Sequence, residues 1–239
     1  MKQVLLSTTY FGPIQWYQKL YRAECVQIEQ WESFQKQTYR NRCLIATTQG
    51  VQALTVPIER LSTVNYIKDI RISDHGNWRH LHWNALQSAY GESPFFEYYQ
   101  DDIRPFYEKR WDYLLDFNEA IRVKMCELID IQPRVNYSKS WSVECGVWSE
   151  DTQRVDSAVA SASESNLTPH STLHTPHSTL HTPQNVDYRS AIRPKNPEAD
   201  PDFESRPYYQ VWQQKNGFLA NLSILDLLFN MGNESVFYL

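Results

Sequence analysis

Gln3-Val4-Leu5-Leu6-Ser7, Pro13-Ile14-Gln15-Trp16-Tyr17-Gln18-Lys19-Leu20-Tyr21 and Glu24-Cys25-Val26-Gln27-Ile28-Glu29 are the pieces from which the architecture can be inferred. The first is a short apolar run of buried-strand length. In the second, Pro13 stands where a first helical residue belongs, because a missing N–H costs nothing there, and Ile14, Tyr17, Leu20 and Tyr21 recur at helical spacing. The third alternates as a strand does. Strand, helix and strand in this order make a crossover, and a right-handed crossover leaves the two strands parallel. The predicted class is therefore α/β: a mixed, partly parallel sheet with flanking helices in a single domain. The loop Thr8-Thr9-Tyr10-Phe11-Gly12 falls at the first strand's carboxyl end and the helix N-terminus, where open α/β sheets bind ligands and unpaired N–H groups attract anions. It lacks GxGxxG, so nothing supports a dinucleotide.

Further along, Cys43 to Thr47 and Val51 to Ile58 flank Thr48-Gln49-Gly50 and predict a hairpin, with Pro57 placing its second arm at an edge or near its end. Ile67 to Ser73 reads as another strand. Asn77 is placed to cap a helix presenting Trp78, Leu81, Ala85 and Ala89 on one face with His82 among them. From Pro105, Tyr107, Trp111, Leu114, Leu115, Ile121, Met125 and Leu128 predict one long amphipathic segment that Pro133 ends, and Arg134 to Tyr137 a closing strand. Residues 149–186 are rich in Ser, Thr, Asp and Glu and repeat Thr-Pro-His-Ser-Thr-Leu-His at 168–174 and 175–181, which predicts a disordered insertion. The expected division is an α/β core over 1–148, that insertion, and a segment 187–239 whose last helix, starting near Leu222 and stopped at Gly232, packs back on the core.

The chain has 239 residues, 41% hydrophobic and 14% aromatic, ample for a packed core. A net charge of -5 argues against general nucleic-acid binding, which needs clustered cations. No window reaches membrane-span length and no secretory signal opens the chain, so a cytoplasmic protein is expected. Cys25, Cys43, Cys126 and Cys145 form no CxxC pair and have no histidine at ligand spacing, so they are read as reduced structural thiols, with no metal site. GxSxG, HExxH and the P-loop are absent, and no motif names a cofactor.

The candidate site lies in Glu32 to Arg42, where Lys36, Arg40 and Arg42 with Asn41 follow the second strand. These cations suit a phosphate or carboxylate, with Tyr10 and Gln15 of the first crossover facing them; the plainer alternative is a solvated strand edge, or ion pairs with Glu29 and Glu32. His82 has the intrinsic pKa of a general acid or base, but its apolar neighbours suit a hydrogen-bonded core histidine. Asp226 suits a helix cap three residues after Ser223, with facing the site as the alternative. His170, His174, His177 and His181 have spacings a metal accepts, yet tandem duplication explains them more simply.

Tyr10-Phe11-Gly12-Pro13-Ile14-Gln15-Trp16-Tyr17, Lys36 to Arg42, Leu54-Thr55-Val56-Pro57-Ile58, Trp78 to His82, Ala89-Tyr90, Pro94-Phe95-Phe96 and Asn221 to Asn230 together resemble the WbqC-like family. The likeness covers about residues 1–137 and 187–239, outside the repeat. Members are associated with bacterial surface polysaccharides such as O-antigen. The resemblance thus implies an enzyme acting on a nucleotide- or carrier-linked sugar or transferring a group to it, acyl and aminoacyl transfer among the candidates. A non-catalytic binding or assembly protein of the same pathway is the alternative. The implied partner is a small anionic substrate such as a nucleotide sugar, and the family supplies no catalytic assignment.

Overall fold

β1 (Lys2–Ser7), α1 (Ile14–Arg22) and β2 (Cys25–Glu29) form the expected crossover in a computed structural model that describes residues 2–59, 65–139 and 184–239. β1 and β2 are parallel, with Val4 opposite Val26, Leu6 opposite Ile28 and Ser7 opposite Glu29. Strand alternation sends Val4, Leu6, Val26 and Ile28 into the core, where Trp16, Tyr17 and Leu20 of α1 are also buried. Each such side chain contributes about 1.5 to 3 kcal/mol through burial. The unfinished sheet is then extended on both sides. β5 (Val135–Tyr137) adds parallel to β2 at the predicted closing strand, and β6 (Gln184–Asp187) adds parallel to β1, giving the order β5-β2-β1-β6. β6 corrects the expected division, because residues at the end of the supposed insertion pair with the first strand. The remainder of the insertion, with its repeat and four histidines, and Cys145 lie outside the described residues.

The hairpin forms as β3 (Arg42–Thr47) and β4 (Gly50–Thr55), antiparallel but in a separate two-stranded sheet. Ile67 to Ser73 is not a strand. Ile67–Asp69 is a turn of 3-10 helix, and beyond it Arg71 and Ile72 make only single bridges, to Tyr113 and Ile58. The spacing of Ile67 and Ile70 buries both without a ladder.

α2 (Trp78–Tyr90) exists, rotated from the expected face. Trp78, His82, Leu86 and Ala89 are buried while Leu81 is 60% exposed. Asn77 precedes it in a left-handed conformation and makes no capping bond. After α3 (Phe96–Ile103), the long amphipathic segment divides into α4 (Pro105–Glu108) and α5 (Leu114–Leu128). Between them the backbone is extended because Asp112 accepts from the Ile72 amide and Tyr113 bridges Arg71.

Residues 188–207 lie against α1, with Lys19 and Asp200 paired at 2.8 Å. After the short α6 (Gln213–Asn216), α7 (Ile224–Met231) begins where the Ser223 hydroxyl accepts from the Leu225 amide. Gly232, at φ 58°, ends it. α7 is tied to the first crossover, where the Ile14 amide donates to the Leu222 carbonyl and the Ile224 amide to the Gly12 carbonyl.

Candidate functional site

The strand order fixes where a ligand crevice belongs. From β1 the chain moves outward to β2 and on to β5, then returns to lay β6 on the far side of β1. The carboxyl ends of β1 and β6 therefore flank the point where the winding reverses, the usual ligand position in open parallel sheets. A small hollow opens there, lined by Ser7, Thr8, Thr9, Arg40, Tyr188 and Arg189 among others. Its volume is about 10 Å³, room for one water-sized group.

Arg40 is 2% exposed and engaged on two sides. Its Nε donates to Glu32 Oε1 at 2.8 Å and its Nη2 to Glu32 Oε2 at 2.5 Å and to Ser7 Oγ at 2.8 Å. Arg189 donates to both oxygens of Asp187 and lies 3.9 Å from Glu32. Burial works against the Arg189 charge, but Asp187, with Glu32 and Glu29 behind it, holds its pKa above the ordinary value. The two guanidiniums thus reach one hollow already matched by carboxylates; for Arg40 with Glu32 this is the ion-pair alternative open in the sequence. Thr9 Oγ1, buried in the same lining, has no hydrogen-bond partner among the described residues.

The face of β2 that carries Gln27 and Glu29 is polar where parallel strands are usually apolar on both faces. Gln27 and Glu29 are buried on it, opposite Leu5 and Ser7 of β1. Glu29 Oε1 accepts from the Trp31 amide at 2.8 Å and from Ser138 Oγ at 2.5 Å, whereas Glu29 Oε2 and Gln27 Nε2 have no partner among the described residues.

The expected site residues do not all meet. The loop after β1 and the basic stretch do converge, since the Tyr10 amide donates to the Tyr39 carbonyl at 2.9 Å and Arg40 reaches Ser7. The Tyr10 side chain, however, has no exposure and turns inward, hydrogen-bonded to Tyr107 Oη at 2.8 Å and to His82 Nδ1 at 3.0 Å. Burial pushes the His82 pKa down to about 4, with the Thr55 carbonyl opposing, so the ring is neutral at pH 7. His82 is absent from the hollow's lining and is 6% exposed in an aromatic cluster with Trp78 and Tyr10. Gln15 Nε2 donates to Asp200 at 2.7 Å and its Oε1 accepts from Asn221 at 3.0 Å, which ties α1 to the C-terminal segment. Asn41 Nδ2 donates to the Val56 carbonyl beside the hairpin, and Arg42 Nε to Thr55 Oγ1 on its exposed side. Lys36 is exposed.

Asp226 is not a cap. It is fully buried and accepts from Tyr90 Oη at 2.9 Å, Tyr208 Oη at 2.5 Å and Gln210 Nε2 at 2.9 Å. Burial pushes its pKa up to about 6, against those three donors.

Sequence reasoning missed Arg189 and Asp187 as contributors, and named Thr9 only within its loop and Glu29 only as an ion-pair partner. Glu29 left a signal, since the alternation in Val26-Gln27-Ile28-Glu29 exceeds what a two-sided buried strand needs. Arg189 left little, standing beyond a strand that holds one apolar residue.

Comparison with known proteins places the chain. An uncharacterized protein of Mycobacterium tuberculosis (strain ATCC 25618 / H37Rv), Rv1507c, is 28% identical over 208 residues, covering 86% of this chain and 83% of that protein. No solved structure matches. The profile of the WbqC-like protein family matches residues 8–238, essentially end to end, and the chain belongs to that family.

Proposed function

We propose that the protein acts in the cytoplasm in building or decorating a bacterial surface polysaccharide. In this reading it is an enzyme that takes a nucleotide- or carrier-linked sugar, or transfers an acyl or aminoacyl group to one. The substrate's anionic group lies across the mouth of the hollow between β1 and β6. One observation carries the reading: Arg40 and Arg189, from distant parts of the chain, converge at the winding reversal beside a buried hydroxyl, Thr9 Oγ1, that lacks a partner among the described residues. Only a single oxygen enters a space of this size, so the rest of the ligand sits outside. The family's association with surface polysaccharides supplies the substrate class. Arg40 and Arg189 bind in this reading, and Lys36, Arg42 and Asn41, which the hollow's lining does not include, have at most a peripheral part.

A second reading, a non-catalytic binding or assembly protein of the same pathway, is favoured by the lining itself. Among the described residues it holds no histidine or cysteine, and His82 is neutral and enclosed elsewhere. Thermal unfolding of the wild type and of Arg189→Met, with nucleotide sugars, acyl donors and aminoacyl donors, tests the proposal. A ligand that binds only the folded chain adds about 2.7 kcal/mol at a hundred times its Kd. Stabilisation that Arg189→Met removes is expected. A flat response to every compound refutes the ligand site, and binding without turnover favours the second reading.

A further inference from the structure

We propose that Ser7 is the nucleophile of an acyl transfer at the hollow, with Glu32 as the base that takes its proton and the guanidiniums of Arg40 and Arg189 as stabilisers of the oxyanion. The proposal rests on the reading above and narrows its reaction to transfer through an acyl-Ser7 ester.

Ser7 ends β1 at the winding reversal and lines the hollow. Three residues there carry aliphatic hydroxyls. Thr8 and Thr9 are buried, whereas Ser7 is half-buried and open to a ligand at the mouth. Its Oγ donates to Glu32 Oε2 at 3.2 Å and accepts from Arg40 Nη2 at 2.8 Å. A hydroxyl oxygen has two lone pairs, so one stays free to attack. The other oxygen of Glu32 is held by Arg40 Nε. A nucleophile, a base within hydrogen-bond reach and a third group that orients the base are what activate a hydroxyl. The cation on Oγ also favours the alkoxide as it forms.

The hollow's size selects what enters. Arg40 and Arg189 each spend Nε and Nη2 on neighbouring groups, and neither Nη1 makes a hydrogen bond among the described residues. Arg189 Nη1 stands 3.9 Å from Glu32 Oε2, beyond hydrogen-bond reach. Unused cationic N–H groups around a space for one oxygen suit an acyl oxygen, which turns anionic when its carbon becomes tetrahedral. The steps balance with an acyl thioester as donor. Ser7 Oγ bonds the acyl carbon as its proton passes to Glu32; the C–S bond then breaks, and the thiolate takes that proton. The acceptor sugar hydroxyl next gives its proton to Glu32 and bonds the same carbon, and Ser7 leaves with that proton as its hydroxyl.

Reaction of the full chain with p-nitrophenyl acetate, followed by acid quench, intact mass and peptide mapping, tests this. An acetyl group on Ser7 is expected, formed with a burst of nitrophenolate. Ser7→Ala should lose the burst, and Glu32→Gln should slow it about a hundred-fold, the low end of general-base catalysis. If either variant does not fold, the wild type decides: the acetyl group maps to Ser7 or it does not, and the burst slows in D2O or it does not. No acetyl group on Ser7, or a burst that persists in Ser7→Ala, overturns the nucleophile. A burst unslowed by Glu32→Gln, or by D2O, overturns the base. The anion site is read separately, by the stabilisation with nucleotide sugars that Arg189→Met removes. That stabilisation together with an unlabelled Ser7 refutes this inference and leaves the reading above in place.

Discussion

Asp226 offers the sharpest quantitative test of how this core is built. Its carboxyl is fully buried on α7, held by Tyr90, Tyr208 and Gln210, with no cation beside it among the described residues. Burial raises its pKa to about 6 in the folded chain, against 3.8 for an ordinary aspartate. The folded state therefore binds this proton more tightly than the unfolded state. The carboxyl stabilises the fold most below pH 3.8, and that advantage is lost as pH rises through 6. At about 1.4 kcal/mol per unit the whole effect is about 3 kcal/mol, of which about 2 kcal/mol falls between pH 4 and pH 7. Asp226→Asn removes the titration and retains the size and one carbonyl acceptor for the Tyr90 hydroxyl. Urea unfolding of both proteins at pH 4, 5, 6 and 7 reads the difference. Relative to the variant, the wild type should gain about 2 kcal/mol as pH falls from 7 to 4. Parallel stability curves would show that the buried carboxyl titrates as an ordinary one and would overturn this account of its burial.

Arg40→Met should cost about 3 to 5 kcal/mol in urea unfolding because it strands the Glu32 carboxylate in a buried site, and adding Glu32→Gln should restore most of it. Gly12→Ala places a methyl 2.4 Å from Thr9 Oγ1 and should lower stability by about 1 to 3 kcal/mol, with Thr9→Ala largely reversing it; an unchanged Tm for Gly12→Ala alone would count against the close packing of this loop. The His82 imidazole, with its pKa near 4, should show no NMR titration between pH 5.5 and pH 8, and protonation in that window would contradict its burial against Tyr10.

The crossover from β1 through α1 to β2 was legible because each piece depends on near neighbours: an apolar run, a proline at a helix start, an alternating strand. β6 was not legible. Gln184–Asp187 holds one apolar residue, Val186, and becomes a strand only because β1 offers a free edge. Ile67 to Ser73 erred in the opposite direction, having strand composition but no neighbour along which to form a ladder. The α2 pattern admitted two overlapping faces, both containing Trp78 and Ala89. His82 belongs to both, and it lies enclosed beside the distant Tyr10 as a core histidine, while Leu86 rather than Leu81 is the leucine turned inward. Of the expected site, the meeting of the first loop with Arg40 could be read in advance, because both follow adjacent parallel strands. Which side chains face that meeting could not.

Local pattern was enough to establish the α/β class, the parallel pairing of the first two strands, the hairpin and the C-terminal helix, since periodicity and chain punctuation act over a few residues. Long-range packing settled that β6 closes the other side of β1, that Arg40 is bound to Glu32 while Arg189 arrives beside it, and that Glu29 keeps one oxygen unmatched among the described residues. Those outcomes depend on which distant groups share a buried space, and a charge or hydrogen bond in such a space is governed by its partners, which linear order does not specify.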